Sequence, residues 1–309
     1  MNEVWMRIGT RGSPLALAQA HQTRDLLAAA HAVAPDAIAI VVIKTTGDAI
    51  TDRPLGEAGG KGLFTKELDA AQLDNSIDIA VHSAKDLPTA LPPGLAVAGY
   101  LPREDARDAF IGAGGTRFAD LPAGAVIGSA SLRRQAMVRR ARPDLSVELL
   151  RGNVQTRLRK VESGGVAGTL LALAGLKRLG LQSVVTEILD ADAFMPPVGQ
   201  AAIAIAARAN DARARDRLAP ILDAPTGVAL AAERAFLAVL DGSCRTPIAG
   251  HATLAGGRLS FRGRLLRTDG SDAWDAAGEG PAADAAAIGE AAARDLLSRA
   301  PADALAHLA

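Results

Sequence analysis

The feature that most constrains this chain is a repeated switch of period, from short β-branched runs to alanine-rich helical stretches, punctuated by glycine and proline. "EVWMRIGTRGSPLALAQAHQTRDLLAAAH" reads as a short strand, a turn and a helix, with Ser13 as N-cap and Pro14 at the first helical position. "AIAIVVIKTTGD" reads as the next strand, stopped by Gly47, and Thr65 opens a helix through "KELDAAQLDN". "SIDIAVHSAKDLP" is a strand that ends in polar residues and is broken by Pro88. Strands alternating with helices predict a mostly parallel sheet covered on both faces. The pattern restarts near residue 107, with "DAFIGA" and "AVIGSAS" as strands and a helix "LRRQAMVRRARP" from Ser131 to Pro143. Then follow a strand "SVELLRGN", a helix "VQTRLRKVESG", and "GTLLALAGLKRLG" as a strand running into a turn.

After residue 224 the texture changes to a helix ending at Gly242, a loop, two alternating strands ("HATLAGGRLSFRGRLLRTDG") and an alanine-rich C-terminal helix. The fold class expected is α/β: two α/β domains plus a small α+β C-terminal domain. Residues 1–101 with about 200–219 would form domain 1, 107–195 domain 2, and 224–309 domain 3, with "FMPPVGQAAIAIAAR" as the connection that returns the chain to the first domain. A chain of 309 residues is long for a single core, which agrees with that division.

Bulk composition excludes several function classes. Aromatics are 3%, so Ala, Leu, Val and Ile must build the core. One cysteine argues against a secreted disulfide framework and fits a reducing cytosol. The N-terminal stretch has no apolar signal core, and no later stretch offers about 18 uninterrupted apolar residues, so neither export nor membrane insertion is expected. Net charge is zero but unevenly spread. Residues 129–160 carry nine Lys or Arg against Asp144 and Glu148, whereas residues 270–309 carry seven acids against Arg294 and Arg299. A local basic region in a neutral chain predicts a bound anion. Sparse aromatics and the lack of a long basic run weigh against nucleic acid.

The candidate groups lie where α/β proteins bind ligands. Arg11 falls at a strand-to-helix turn beside a helix N-terminus, a natural anion site. Ser83, Lys85 and Asp86 fall at the C-terminal end of a strand, where Asp86 suits proton transfer and His82 reads as a packed strand residue. "GSASLRRQ" gathers Ser129, Ser131, Arg133 and Arg134 at a helix start, and "LRGNVQTRL" repeats the device with Arg151 and Arg157. "GEAGGKGLFTKE" lacks the spacing of a phosphate loop, because Gly62 follows Lys61 where a hydroxyl should bind magnesium. Its glycines suit either a lid with Lys61 as ligand-facing charge or a plain loop. No His, Cys, Asp and Glu set has metal spacing, and neither a metal nor a redox cofactor is expected. The lone thiol, Cys244 in "LDGSCRTPIAG", reads from its residues as a buried hydrophobe, a nucleophile or an attachment point.

Nine stretches occur in the order found in porphobilinogen deaminases: "RIGTRGSPLALAQA", "GGKGLFTKEL", "DIAVHSAKDLP", "REDARDAF", "SASLRRQ", "LRGNVQTRL", "LALAGLKRLG", "PVGQAAIAI" and "GSCRTPIAG". The chain thus resembles that family over about residues 6–250. The resemblance implies two domains like periplasmic binding-protein lobes and a small third domain carrying the cofactor cysteine. It implies a transferase, hydroxymethylbilane synthase, of porphyrin and haem biosynthesis. Four porphobilinogens are condensed head to tail into hydroxymethylbilane with release of ammonia. A dipyrromethane cofactor would hang from Cys244 by a thioether, attended by Lys85, Ser83, Ser129, Ser131, Arg133 and Arg134. Substrate carboxylates would meet Arg11, Arg151, Arg157 and Arg178, with Gln200, Phe64 and Lys61 assisting. Asp86 would be catalytic, binding the pyrrole N–H and stabilising the azafulvenium cation. The chain departs from common family forms at Gly12, Ala130, Ala201 and Ser243, and none of these removes a proposed catalytic group. A cytoplasmic monomer is expected, acting on small-molecule porphobilinogen without nucleic acid or membrane. The alternative is a two-lobed anion-binding protein without catalysis, in which Cys244 has no task.

Overall fold

The computed structural model describes residues 4–49, 62–240 and 246–305. In chain order the strands are β1 Met6–Thr10, β2 Ile38–Val42, β3 Ile79–Ser83, β4 Leu95–Tyr100, β5 Asp108–Gly112, β6 Val126–Gly128, β7 Ser146–Glu148, β8 Gly168–Ala172, β9 Glu187–Ile188, β10 Ile203–Arg208, β11 Ile248–Ala255, β12 Arg258–Leu266 and β13 Ala273–Pro281. The helices are α1 Pro14–His31, α2 Thr46–Ala49, α3 Lys66–Leu73, α4 Leu132–Ala141, α5 Val154–Glu162, α6 Leu173–Arg178, α7 Ala212–Leu218, α8 Ala224–Val239, α9 Ala285–Arg299 and α10 Ala302–Leu305. They gather into two compact units, 1–104 with 201–227 and 105–200 with 228–309.

The first unit is built on a sheet of order β2-β1-β3-β10-β4. β1 pairs in parallel with β2 and β3, while β10 runs antiparallel to β3 and β4. The second unit contains a sheet of order β7-β6-β8-β5-β9, where β6 is parallel to β7 and β8, and β5 is antiparallel to β8 and β9. The mostly parallel sheet expected from the alternation is therefore mixed. A helical crossover forces parallel pairing only between the strands that it joins. β10 and β5 reach their sheets by other routes, and each runs against its neighbours.

The cores match the composition. In the first unit Ile8, Leu27, Ile79, Val81, Ile203, Ile205 and Leu218 form one buried cluster, in which α1 covers the sheet. In the second, Phe110, Ile127, Met137 and Leu170 share a cluster with Ala249 and Leu266 of the third sheet. Three of the few aromatics stack there, Phe118 meeting Phe110 and Phe194 edge-on at 5.4 Å in each case.

That third sheet, β11-β12-β13, is antiparallel and packs in the second unit with α9 against it. It has three strands where two were expected, because β13, "AWDAAGEGP", is poor in β-branched residues and pairs through its backbone. A Cβ at Gly289 of α9 would come within 2.0 Å of Ala232 O, so glycine lets α9 lie against α8. "GTLLALAGLKRLG", expected as a strand running into a turn, forms β8 through Ala172 and then a helix, α6, from Leu173 in place of the turn.

The chain passes from the second unit to the first at Gln200–Ala201. Ala201 adopts φ 72° and is buried. An L-residue there costs about 1 kcal/mol relative to glycine.

His82 of β3 is 4% exposed, and its Nε2 has no hydrogen-bond partner. Burial, reinforced by the nearby Arg11 charge, lowers its pKa to about 4. A base with a depressed native pKa makes stability rise with pH between its native and unfolded values, here about 4 and 6.5. Between those limits the stability difference between wild type and His82→Phe should move by about 3 kcal/mol in favour of the variant as pH falls. Urea denaturation at a series of pH values checks this; parallel curves for the two proteins would show that His82 takes no part in acid unfolding.

Candidate active site

In the first unit the site grows from the C-terminal ends of β1 and β3, which lie side by side. β1 ends at Thr10, whose buried Oγ1 donates to Ala16 O at 3.1 Å and ties the strand to α1. Ser13 Oγ accepts from Ala16 N at 3.3 Å, capping the helix and fixing the turn that carries Arg11. β3 runs into a single 3₁₀ turn, Ala84–Asp86, held by bonds from Ala84 N to Ala202 O (3.0 Å) and from Leu87 N to Ala84 O (3.3 Å). This turn places Lys85 and Asp86 at the sheet edge, both half-buried.

Arg11 is brought to Asp86 and to Phe64. Its Nη1 lies 3.8 Å from Asp86 Oδ2, with side chains 19% and 31% exposed. Its guanidinium carbon lies 3.9 Å from the centre of the Phe64 ring, a cation–π arrangement. The ring has a fixed seat, because a Cβ at Gly47 would approach it to 2.5 Å. At 3.8 Å the Arg11–Asp86 pair is longer than a hydrogen-bonded ion pair, so the carboxylate feels the charge without a direct hydrogen bond from that atom. Ser83 is engaged by Gln19, a residue that the sequence reading passed over. Gln19 Nε2 donates to Ser83 Oγ at 3.0 Å, and that hydroxyl donates back to Oε1 at 3.1 Å. Gln19 stands in the "LALAQA" stretch on the buried face of α1, where a polar residue signals a partner. Lys61 and Cys244 lie outside the described residues.

In the second unit Ser129 and Ser131 build the turn from β6 into α4. Ser129 Oγ accepts from Ser131 N at 3.2 Å, and Ser131 Oγ caps the helix by accepting from Arg134 N at 3.4 Å. Arg133 and Arg134, read as facing ligand, are turned inward and are 3% and 6% exposed. They converge on Asp108, which is fully buried at the start of β5. Arg133 Nη2 donates to Asp108 Oδ2 at 2.6 Å, and its Nη1 to Met195 O at 2.6 Å. Arg134 grips Asp108 side-on, with Nε to Oδ2 at 3.2 Å and Nη2 to Oδ1 at 2.7 Å, and its Nη1 reaches Leu170 O at 3.0 Å. Gln200 Nε2 joins the same group, donating to Asp108 Oδ1 at 2.8 Å and to Ala106 O at 2.7 Å. Asp108 was missed in the sequence. Its signal is a carboxylate at the first position of an apolar strand, which has to find cations.

Arg151 and Arg157 lie at the neighbouring turn. Gly152 there has φ 108°, and Asn153 Oδ1 accepts from Thr156 N at 2.9 Å to cap α5. Arg157 Nε donates to Gly152 O at 3.0 Å. Loss of water around Arg157, and the charges of Arg134 and Arg151, push its pKa down to about 10. Three guanidiniums thus crowd one another, an arrangement that a polycarboxylate relieves. Arg178 closes α6, directly after β8.

Two α/β sheets that carry guanidiniums at their strand-to-helix turns, with one half-buried aspartate beside Arg11, define a protein that handles an anionic organic ligand. Comparison with known proteins gives the particular kind. Residues 6–216 match the family described as porphobilinogen deaminase, dipyromethane cofactor binding domain, and residues 228–298 match its C-terminal domain. The chain belongs to the porphobilinogen deaminase family. The porphobilinogen deaminase of Nitrobacter winogradskyi is 58% identical over 298 residues, covering 96% of this chain and 94% of the relative. That of Paracoccus denitrificans is 57% identical, covering 96% and 95%. Among solved structures, the periplasmic aliphatic sulphonate binding protein SsuA of Escherichia coli aligns over 75% of this chain and 69% of its own, at 16% identity and a TM-score of 0.41, a likeness too loose to argue from. The chain is a transferase of tetrapyrrole biosynthesis that works with a dipyrromethane cofactor.

Arg134→Leu should lower folding stability by about 3–5 kcal/mol, since it deletes two charge-assisted hydrogen bonds to buried Asp108 and the one to Leu170 O. Arg157→Leu should stay within about 1 kcal/mol of wild type, since it removes a cation that its neighbours repel. Urea denaturation of the two variants checks the contrast; equal stabilities would mean that the Asp108 cluster does not hold the second unit together.

Proposed function

We propose that the chain catalyses the hydroxymethylbilane synthase reaction: four porphobilinogens are joined head to tail, each with loss of ammonia, and the product is primed on a dipyrromethane anchored to Cys244. The observation that carries this reading is the gathering of positive charge around Arg157, whose pKa is lowered first by loss of water and then by the charges of Arg134 and Arg151. Each added pyrrole brings an acetate and a propionate, whose negative charges offset this accumulated positive charge. The residues present therefore fit the dipyrromethane, which supplies the pyrrole carbon that forms the new bond. Arg151, Arg157 and Arg178 hold carboxylates in the second unit, with Ser129, Ser131, Arg133, Arg134 and Gln200 shaping their surroundings. In the first unit Arg11 and Lys85 do the same, with Ser83 and Phe64 beside them, and Lys61, outside the described residues, is assigned the same role.

Asp86 is assigned the proton chemistry. Its carboxylate accepts a pyrrole N–H and faces the positive charge that develops as ammonia departs. Arg11, 3.8 Å away, sets a positive charge beside that carboxylate. In its neutral form Asp86 delivers a proton to the leaving amine. The reading extends to a cytoplasmic monomer of three domains, 1–101 with about 200–219, 107–195 and 224–309. The lone cysteine fits a reducing compartment, and no helix among the described residues is long and apolar enough to cross a membrane.

Intact-mass analysis tests the anchor. Protein from a porphobilinogen-making host should be heavier than its sequence by a two-pyrrole adduct, and Cys244→Ala should not; identical unmodified masses discard the enzyme reading. Asp86→Asn should keep the adduct and lose at least about 100-fold in turnover. Turnover near wild type removes Asp86 from the mechanism.

A further inference from the structure

Asp108 has a more constrained environment than any proposed ligand-binding residue. It is fully buried, stands first in a strand whose five residues are all buried, and accepts four hydrogen bonds, two on each oxygen. Oδ2 bridges Arg133 and Arg134, and Oδ1 bridges Arg134 and Gln200. No lone-pair direction remains for a ligand donor, and a carboxylate would not be attracted to a carboxylate. Asp108 therefore acts on the chemistry through its partners. One negative charge is set against two positive ones, so the cluster keeps a net single positive charge in a site stripped of water. Arg134 cannot rotate, because β5 and β8 both hold it: Asp108 takes two of its nitrogens and Leu170 O takes the third. Its charge reaches Arg157, where it and Arg151 add to the effect of burial in lowering the pKa.

We infer that Asp108 is a positioning residue for the condensation: it fixes the Arg133–Arg134 pair and Gln200 so that their residual positive charge stands beside Arg151 and Arg157 and sets the affinity for the carboxylates of the growing pyrrole chain. The inference rests on the proposed reading of Arg151 and Arg157 as carboxylate ligands. A residue that tunes binding of carboxylates present in both substrate and transition state shifts KM and leaves kcat nearly constant, whereas a residue that merely supports the fold lowers the melting temperature and leaves the KM of the folded fraction alone.

The test uses full-length protein shown by intact mass to carry its adduct, assayed well below each variant's melting temperature. Asp108→Asn keeps the size but sets an amide NH2 against the Arg133, Arg134 and Gln200 donors, so the guanidiniums lose their fixed positions even though the net positive charge rises. It should raise KM for porphobilinogen at least about 10-fold with kcat within about threefold of wild type. Gln200→Leu keeps every charge and deletes one bond to Asp108. It should raise KM by about threefold, and it decides the matter where Asp108→Asn fails to fold. Leu296→Ala, buried in α9, serves as the destabilised control and should leave KM unchanged. Folded variants with KM within about twofold of wild type, a fall in kcat alone, an equal KM shift in Leu296→Ala, or failure of both cluster variants to fold would each overturn the positioning role. Wild-type protein without turnover would instead sink the reading of the reaction itself.

Discussion

Burying positive charge is the constraint around which the second unit is arranged. Two guanidiniums withdrawn from water on one helix would be prohibitive without a counter-ion, and a single carboxylate supplies it. Burial works to raise the pKa of Asp108, yet the guanidiniums of Arg133 and Arg134 hold it well below the usual carboxylate range. The ion cluster then dictates placement elsewhere. β5 has to begin at Asp108, α4 has to present its first turn to β5 and β8, and Gln200 has to arrive at the same point before the chain leaves for the first unit. Packing of Phe110, Ile127 and Met137 follows from that alignment.

The two units solve one problem by different means. The second gathers excess positive charge, some of it sequestered in Arg133 and Arg134 and some half-exposed in Arg151 and Arg157. The first keeps one guanidinium poised over an aromatic face, within reach of an aspartate but not locked to it. A side-on pair would occupy one acceptor site on each Asp86 oxygen and fix the guanidinium in the carboxylate plane. The stacking on Phe64 fixes the guanidinium 3.9 Å from the ring centre.

Much of this was legible in the sequence, for identifiable reasons. Ser13 and Ser131 marked helix starts because side-chain caps have strong local chemistry, and both cap as read. Asp86 and Arg11 could be placed at one sheet edge because parallel strands joined by a helix end on the same side. The inward turn of Arg133 and Arg134 was not legible. A helix rotates about 100° per residue, so whether a side chain at its start faces solvent or the sheet depends on partners far along the chain, here 25 and 26 residues away. The directions of β5 and β10 were hidden for a similar reason, since local pattern fixes that a segment is a strand and not which way it runs. β13 escaped notice because alanine and glycine carry almost no strand signal of their own.

The placement of β10 has a bearing on how the protein is made. Translation delivers residues in order, and the second sheet has received its last strand once Ile188 has emerged. The first sheet, although it begins at Met6, stays one strand short until Arg208 appears, with Ser83 and His82 at the vacant edge of β3 waiting for Ile203 and Ala204. A ribosome-bound chain therefore holds an incomplete N-terminal sheet while a later-made one closes, an exposed strand edge of the kind that chaperones shield.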